Sequence, residues 1–257
     1  MSEKAYSIDL KELLEAGCHF GHQARRWNPK MVSYIYTTRD GVSIFDLAKT
    51  AQCLVEAMTY VRDWVKDGKD IVFVGTKRQA QAIVKEEAIK VGAPFISERW
   101  LGGLLTNWNE IEKRLNRLRT MRQDREAGLY KKYTKKENVL IDREIAKLDR
   151  FLGGIDSLKA APEALFIIDT HKEIVAVREA SQKNIPIVGI VDSNADPYPV
   201  TKVIPANDDA VRSIKLIVAK IAEAYADGKA LRKSTPSTPK VPDKDQLKKP
   251  LKPKQSK

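Results

Sequence analysis

The feature that most constrains this chain is a repeated alternation, in which short unbroken apolar runs are each followed by a turn and then by residues at helical spacing. Ile71, Val72, Phe73 and Val74 form one run, and Gly75-Thr76-Lys77 leads from it into a helical stretch over residues 79–91. The pattern returns at residues 164–169 with a helix over 173–183, at 187–192, and at Val203 and Ile204 with a helix over about 209–225. Upstream, Leu47, Ala51, Leu54, Met58, Val61 and Val65 recur on one helical face up to Gly68. A strand that is apolar on both sides has to be covered on both, and strands alternating with helices give a parallel sheet. The expected fold is therefore α/β, a doubly wound parallel sheet of the flavodoxin-like or Rossmann-like kind.

One segment breaks the alternation. Trp108, Ile111, Leu115 and Leu118 are spaced three and four apart, as are Ile141, Ile145, Leu148 and Leu152, which is the seam of a coiled coil. The spacing predicts an inserted antiparallel helical hairpin over residues 107–154, weakening toward its tip where Arg122 and Arg125 take the next seam positions. Residues 1–46 read as a short helix ending at Gly17, a basic loop, and a β-hairpin turning at Asp40-Gly41. Residues 47–106 and 155–228 make up the α/β domain. From Lys229 to Lys257 there are five prolines, no aromatic residue and few apolar ones, so this tail is expected to be disordered.

Charge narrows the partners. The formal net charge is +12, but the tail contributes +8 of it, with ten basic residues against Asp243 and Asp245, and the other 228 residues carry only +4. A polyanion is the expected partner, and in the folded part it must be met by local patches. Two cysteines, Cys18 and Cys53, form no disulfide framework and point to a reducing compartment, the cytoplasm. The first ten residues include Glu3 and Asp9, and no apolar run reaches the length of a membrane span, so neither a signal peptide nor a transmembrane helix is expected. Peripheral attachment to anionic lipid through the tail is a rival reading, and it leaves the hairpin without a purpose.

Three stretches carry candidate contacts. From Ala16 to Arg39 there is no acidic residue, while Arg25, Arg26 and Lys30 surround Trp27; guanidinium groups fork onto phosphate and an indole stacks on an unpaired base. The same residues also describe a solvated loop anchored by a buried Trp27, and spacing does not separate the two. The hairpin holds thirteen basic residues against eight acidic ones over residues 107–153, with Lys113, Arg114 and Arg117 close on one face that could lie along RNA backbones, although from the residues alone an ordinary coiled coil of mixed surface charge is the favoured reading. Residues 97–107 place Trp100 and the pair Gly102-Gly103 just before the hairpin, either for a ligand or for a sharp exit from the domain.

Enzymatic readings find less support. Gly75-Thr76-Lys77 follows a strand and opens a helix, where a phosphate could sit on backbone N–H groups, but a single glycine matches neither phosphate-loop nor dinucleotide patterns. A Rossmann-type enzyme acting on a phosphorylated small molecule is the alternative function. Asp169, Asp192, Asp196, Asp208 and Asp209 follow successive strands; Mg2+ near Asp169, Asp192 and Asp196 is one reading and helix capping the other. Cys18, His19, His22 and Cys53 lack the spacing of a zinc ribbon or finger, so no metal site is assigned from them. No arrangement of Ser, His and Asp suggests a nucleophile.

Five blocks, in order, resemble the small-subunit ribosomal protein S-two family. They are residues 12–22 (ELLEAGCHFGH) with 26–30 (RWNPK); 73–77 (FVGTK); 99–103 (RWLGG) with 105–107 (LTN); 162–169 (PEALFIID) with Glu173, Ala176, Arg178, Glu179 and Ala180; and 192–197 (DSNADP) with 207–210 (NDDA). The resemblance spans about residues 10–225. It implies a Rossmann-like domain with an inserted coiled-coil hairpin and a structural, non-enzymatic role in translation. It also implies a ribosome-bound place between head and body of the small subunit, beside other small-subunit proteins, and a part in docking ribosomal protein S-one. It implies ribosomal RNA contacts at Arg25, Arg26, Trp27, Lys30, Lys77, Arg78, Arg99, Asn107, Lys113, Arg114 and Arg117. No cofactor is implied, and the basic tail is not part of the family core.

Overall fold

The structure is a computed structural model that describes residues 5–234. It opens with α1 (Leu10–Glu15), whose first turn is capped by the Asp9 carboxylate accepting from the Lys11 amide. Strands β1 (Phe20–Gln23), β2 (Ile35–Arg39) and β3 (Val42–Phe45) follow as an antiparallel sheet in the order β1-β3-β2. The β2–β3 turn falls at Asp40 and Gly41, both at positive φ, the two-residue geometry that matches strand twist. β1 corrects the expectation of a loop. It pairs with β3 only at Phe20↔Ile44 and Gln23↔Val42, with an irregularity between, so tertiary pairing makes this strand and no alternating pattern announces it.

Helix α2 (Leu47–Lys66), capped by Asp46, leads into the main sheet, built from β4 (Ile71–Val74), β5 (Phe95–Ile96), β6 (Ala164–Ile168), β7 (Ile187–Val191) and β8 (Lys202–Pro205). Helices α3 (Gln81–Val91) and α6 (Ile174–Gln182) connect successive strands. All pairings are parallel, in the order β5-β4-β6-β7-β8, which is the flavodoxin-like winding with its reversal between β4 and β6. Alternate strand residues feed two cores. Ile71, Phe73, Ala164, Phe166 and Val188 meet the helices α1, α2 and α3 and the last helix, α7 (Val211–Ser234). Val72, Val74, Leu165, Ile167 and Ile187 meet α6 and the residues leading into the inserted helices. Two-sided burial explains why these strands read as unbroken apolar runs.

Helix α7 corrects the boundary expected near Tyr225 and the disorder expected from Lys229, since it continues to Ser234. Gly228 does not stop it. A Cβ at Gly228 would lie 2.5 Å from the Arg62 carbonyl oxygen, so the glycine allows α7 to pack closely on α2. Lys229 Nζ then donates to the carbonyls of Val91 and Gly92 at 3.1 and 3.3 Å, closing the end of α3. The remainder of the basic tail, residues 235–257, lies outside the described residues.

Between β5 and β6 the chain runs out along α4 (Trp108–Glu126), through a 3-10 turn (Leu129–Lys132), and back along α5 (Lys135–Leu152). Thr134 and Glu137 form a reciprocal capping box that starts α5. Ile111, Leu115 and Leu118 of α4 and Leu152 of α5 are buried with the second core, and Ile145 and Leu148 pack against it. Beyond Leu118 no α4 residue is buried. There the two helices are joined by guanidinium bridges, Arg122 to Asp149 and Arg125 to Asp142 at 2.7 Å, and just before Leu118 another runs from Arg117 to Glu144 at 2.6 Å. The arginines at the expected seam positions thus span the pair as ion-pair links. The root belongs to the core and the far half stands off it.

Candidate nucleic-acid interface

The loop between β5 and α4 has to leave the sheet edge, turn, and aim the two-helix arm, and one buried carboxylate organises it. Glu179 on α6 is 9% exposed, and its Oε1 accepts from Trp100 Nε1 at 3.1 Å and Gly103 N at 2.8 Å. Its Oε2 accepts from Leu105 N at 3.1 Å and from the amide and hydroxyl of Thr106, both at 3.3 Å. Burial alone would raise this carboxyl, but the converging donors outweigh it and hold Glu179 below the usual glutamate value. Gly103, at φ +89°, supplies the left-handed turn within this loop. The paired glycines and Trp100 therefore serve the exit from the domain, anchored on a residue 73 to 79 positions away.

That geometry creates a cleft at the root of the arm. It has a volume of about 380 Å3 and is lined by Arg99, Trp100, Leu101, Arg114, Lys147 and Phe151, among others. Arg99, Arg114 and Lys147 are exposed. None of the three makes an ion pair or hydrogen bond among the described residues, because Glu110, the acid one turn before Arg114, is taken by Lys113 at 2.6 Å, and Glu98 is taken by Arg150 at 2.6 Å. Three uncompensated cations around a partly apolar floor suit a polyanion with a flat ring, phosphates at the rim and a base or ribose inside. Arg99 and Arg114, fifteen residues apart, are brought together here; Lys147 joins them only through the return of α5 and carries no sequence signal of its own.

The N-terminal basic loop forms a second exposed surface. Trp27 is 39% exposed, so its ring is available and is not a buried anchor. The loop is tied to the end of β7: Asn28 N donates to the Ser193 carbonyl at 2.6 Å, and His22 N donates to Ser193 Oγ at 2.8 Å. Arg26 points to solvent, Arg25 Nε donates to Gln23, and Lys30 pairs with Asp196 at 2.5 Å beneath the Tyr198 ring. Lys113 and Arg117 likewise hold surface acids, Glu110 and Glu144. Exposed pairs of this kind are worth roughly 0–1 kcal/mol and yield readily to a phosphate. Arg78 is exposed at the start of the α3 region, and Asn107 is exposed at the N-terminus of α4, where its side chain caps nothing.

Lys77 is different. Its side chain is 11% exposed, and Nζ lies 2.7 Å from Asp208, 2.6 Å from Asp209 and 3.2 Å from Asp169. Burial pulls its pKa down, but the three carboxylates prevail and raise it, so Lys77 is a locked counter-ion inside the crevice and not a surface phosphate ligand. Glu173 closes the same crevice by accepting from the amide and hydroxyl of Thr76. Gly75 has a packing role as well: a Cβ there would come within 2.7 Å of Val84. The place where flavodoxin-like sheets hold phosphates is here lined with carboxylates, which oppose an anion.

The other expected metal sets are redistributed. Asp196 is engaged by Lys30, away from Asp169 and Asp192, and Cys18, His19 and Cys53 do not converge with His22. Among the described residues no helix is long and apolar enough to cross a membrane. A sequence model of one family, described as Ribosomal protein S2, matches residues 13–228, which take in both sheets, the two-helix arm, the basic cleft and the crevice.

Proposed function

The chain belongs to the ribosomal protein S2 family, whose members are structural parts of the small ribosomal subunit, and on that premise we propose that it binds small-subunit ribosomal RNA through the cleft at the root of its arm. The carrying observation is the trio Arg99, Arg114 and Lys147, exposed without acidic partners around a partly apolar hollow. Arg25, Arg26 and Trp27 make a second contact, with Lys30, Lys113 and Arg117 exchanging surface acids for phosphates, and Arg78 and Asn107 adding to the edge. The parallel sheet is the platform. Residues 107–154 act as a coiled-coil hairpin inserted between residues 47–106 and 155–228, carrying contact to a second RNA region, and residues 1–46 present the basic loop.

Family membership further supports a position between head and body, neighbouring small-subunit proteins, cytoplasmic residence on the ribosome, and a part in docking ribosomal protein S-one. The basic tail adds phosphate contacts without sequence preference. The alternative, an enzyme for a phosphorylated small molecule, has to place an anion beside Asp169, Glu173, Asp208 and Asp209, and calorimetry with nucleotides is expected to give no binding.

Filter binding of the purified chain to small-subunit RNA across a salt series tests the reading. The variant Arg99→Glu/Arg114→Glu/Lys147→Glu should lower affinity and flatten the slope of log K against log[salt] by about 2 to 3, at ~0.7–0.9 for each phosphate that is no longer neutralised. An unchanged slope would remove the cleft from the interface.

A further inference from the structure

The cleft at the root of the arm contains a glycine that the fold does not need. The exit loop uses both Gly102 and Gly103, but it requires glycine only at Gly103, which sits at φ +89° and whose Cβ would press on the Asn107 Cβ at 3.4 Å. Gly102 lies outside the left-handed region, and a Cβ built on it meets nothing within 4 Å. It is exposed, it lines the cleft, and its amide and carbonyl have no hydrogen-bond partner among the described residues. A bare stretch of backbone that neither packing nor conformation explains suits the close approach of a ligand.

From this we propose that the cleft takes one unpaired nucleotide of single-stranded or bulged RNA, its base lying against Gly102 and the Phe151 ring, and that Gly102 sets the preference for unpaired over paired RNA. The inference rests on the reading of the cleft as an RNA-binding site and names the RNA element that enters it.

The walls are firm before any ligand arrives. Trp100 is 6% exposed, and the bond from its Nε1 to Glu179 pins the indole. Arg150 lies over the Phe151 ring, 5.8 Å from its centroid, and is itself fixed by two bonds to Glu98 Oε2 at 2.6 and 2.8 Å. A ring held in place loses little freedom when a base stacks on it. Leu101, Leu148 and Phe151 are only half-buried, so each keeps apolar surface uncovered beside the hollow.

The cations come from three separate segments: Arg99 from the exit loop, Arg114 from α4 and Lys147 from α5. The phosphates on either side of one nucleotide can each find a partner among them. A basic rim by itself would serve the backbone of a duplex, and the apolar hollow of about 380 Å3 is surplus to that task. A base inside a duplex is stacked on both faces and paired along its edge, so it cannot enter. An unpaired base can be splayed out and stacked on an aromatic ring, with its free edge toward the Gly102 amide and carbonyl.

The test follows fluorescence anisotropy of two labelled RNA hairpins on titration with the full chain, one hairpin with a fully paired stem and the other with the same stem carrying a single bulged adenosine. Tail contacts add to both alike, so the ratio of the two affinities reads the cleft. The bulged hairpin should bind more tightly by about 5- to 100-fold. Gly102→Val should bring the ratio near one and Gly102→Ala should lower it, the alanine variant melting no lower than the wild type because the position accepts a Cβ. Phe151→Leu should lower the ratio as well, whereas Ile89→Ala, on the exposed side of α3, should leave it unchanged. If the wild type shows no preference for the bulge while Arg99→Glu/Arg114→Glu/Lys147→Glu weakens both hairpins, the cleft holds backbone alone; the inference is overturned and the RNA-binding reading stands. If that triple variant binds both hairpins as the wild type does, both fall. A folded Gly102→Val that keeps the wild-type ratio also overturns the proposal.

Discussion

Removing the Glu179 carboxylate should cost more than any surface change in this protein. In Glu179→Ala, Trp100 Nε1 and Leu105 N lose their acceptor in buried surroundings, while the Gly103 and Thr106 groups are part-buried and reach water. Each of the two orphaned buried donors costs about 1–3 kcal/mol and each of the three donors that regain water about 0.5–1 kcal/mol, so a total of roughly 3.5–9 kcal/mol is expected. For a chain of this size each kcal/mol moves the melting midpoint by about 2–4 °C, which gives a fall of roughly 7–36 °C. Glu179→Gln keeps one oxygen and turns an NH2 against donors, so it should fall near the middle of that range. Because the folded carboxyl titrates below its ordinary value, the stabilisation is complete above about pH 4.3 and is lost as pH drops through the folded pKa. Urea melts read by circular dichroism at pH 7 and pH 4, on wild type and both variants, measure this. A Glu179→Ala penalty under 1 kcal/mol at pH 7 would refute the convergence of donors, and so would a glutamine variant with the wild-type acid slope.

Lys77→Met should destabilise by about 3–5 kcal/mol, as expected when one partner of a buried ion cluster is removed, and Asp208→Asn should recover part of that loss in the double variant, measured by the same melts. Leu115→Ala, buried where α4 enters the core, should cost about 2–5 kcal/mol, whereas Val139→Ala near the arm's tip should stay within ~0.5 kcal/mol. If Val139→Ala costs as much as Leu115→Ala, the division of the arm into a rooted half and a free half fails. Arg25→Ala/Arg26→Ala should weaken RNA binding uniformly across RNA sequences while leaving the melting midpoint unchanged.

The sheet is legible in the sequence because its strands are buried on both faces, so Ile71 to Val74 and Ile187 to Val191 read as strands without help from partners. Helix α4 is legible through the spacing of Ile111, Leu115 and Leu118, because that face is buried in the second core. What escapes the sequence is what depends on partners far along the chain. β1 and the two-residue β5 exist through pairing, and Gly228 reads as a helix stop until α2 lies beside it. Glu179 carries no local sign of five donors arriving from residues 100–106. Arg99 and Arg114 stand out in the sequence, but Lys147 reaches them through an arm that must first fold back. Lys77 reads outward, as a phosphate ligand, because its turn resembles one; the carboxylates that draw it inward come from beyond β6 and β8, 92 to 132 residues later.

The central claim, a structural place on the small ribosomal subunit held by RNA contacts, is tested most directly by sedimenting a tagged full chain from a lysate at low magnesium, where the subunits separate. The account predicts migration with the small subunit that survives a moderate salt wash and is lost after RNase treatment. A chain that stays at the top of the gradient, with or without RNase, would contradict it.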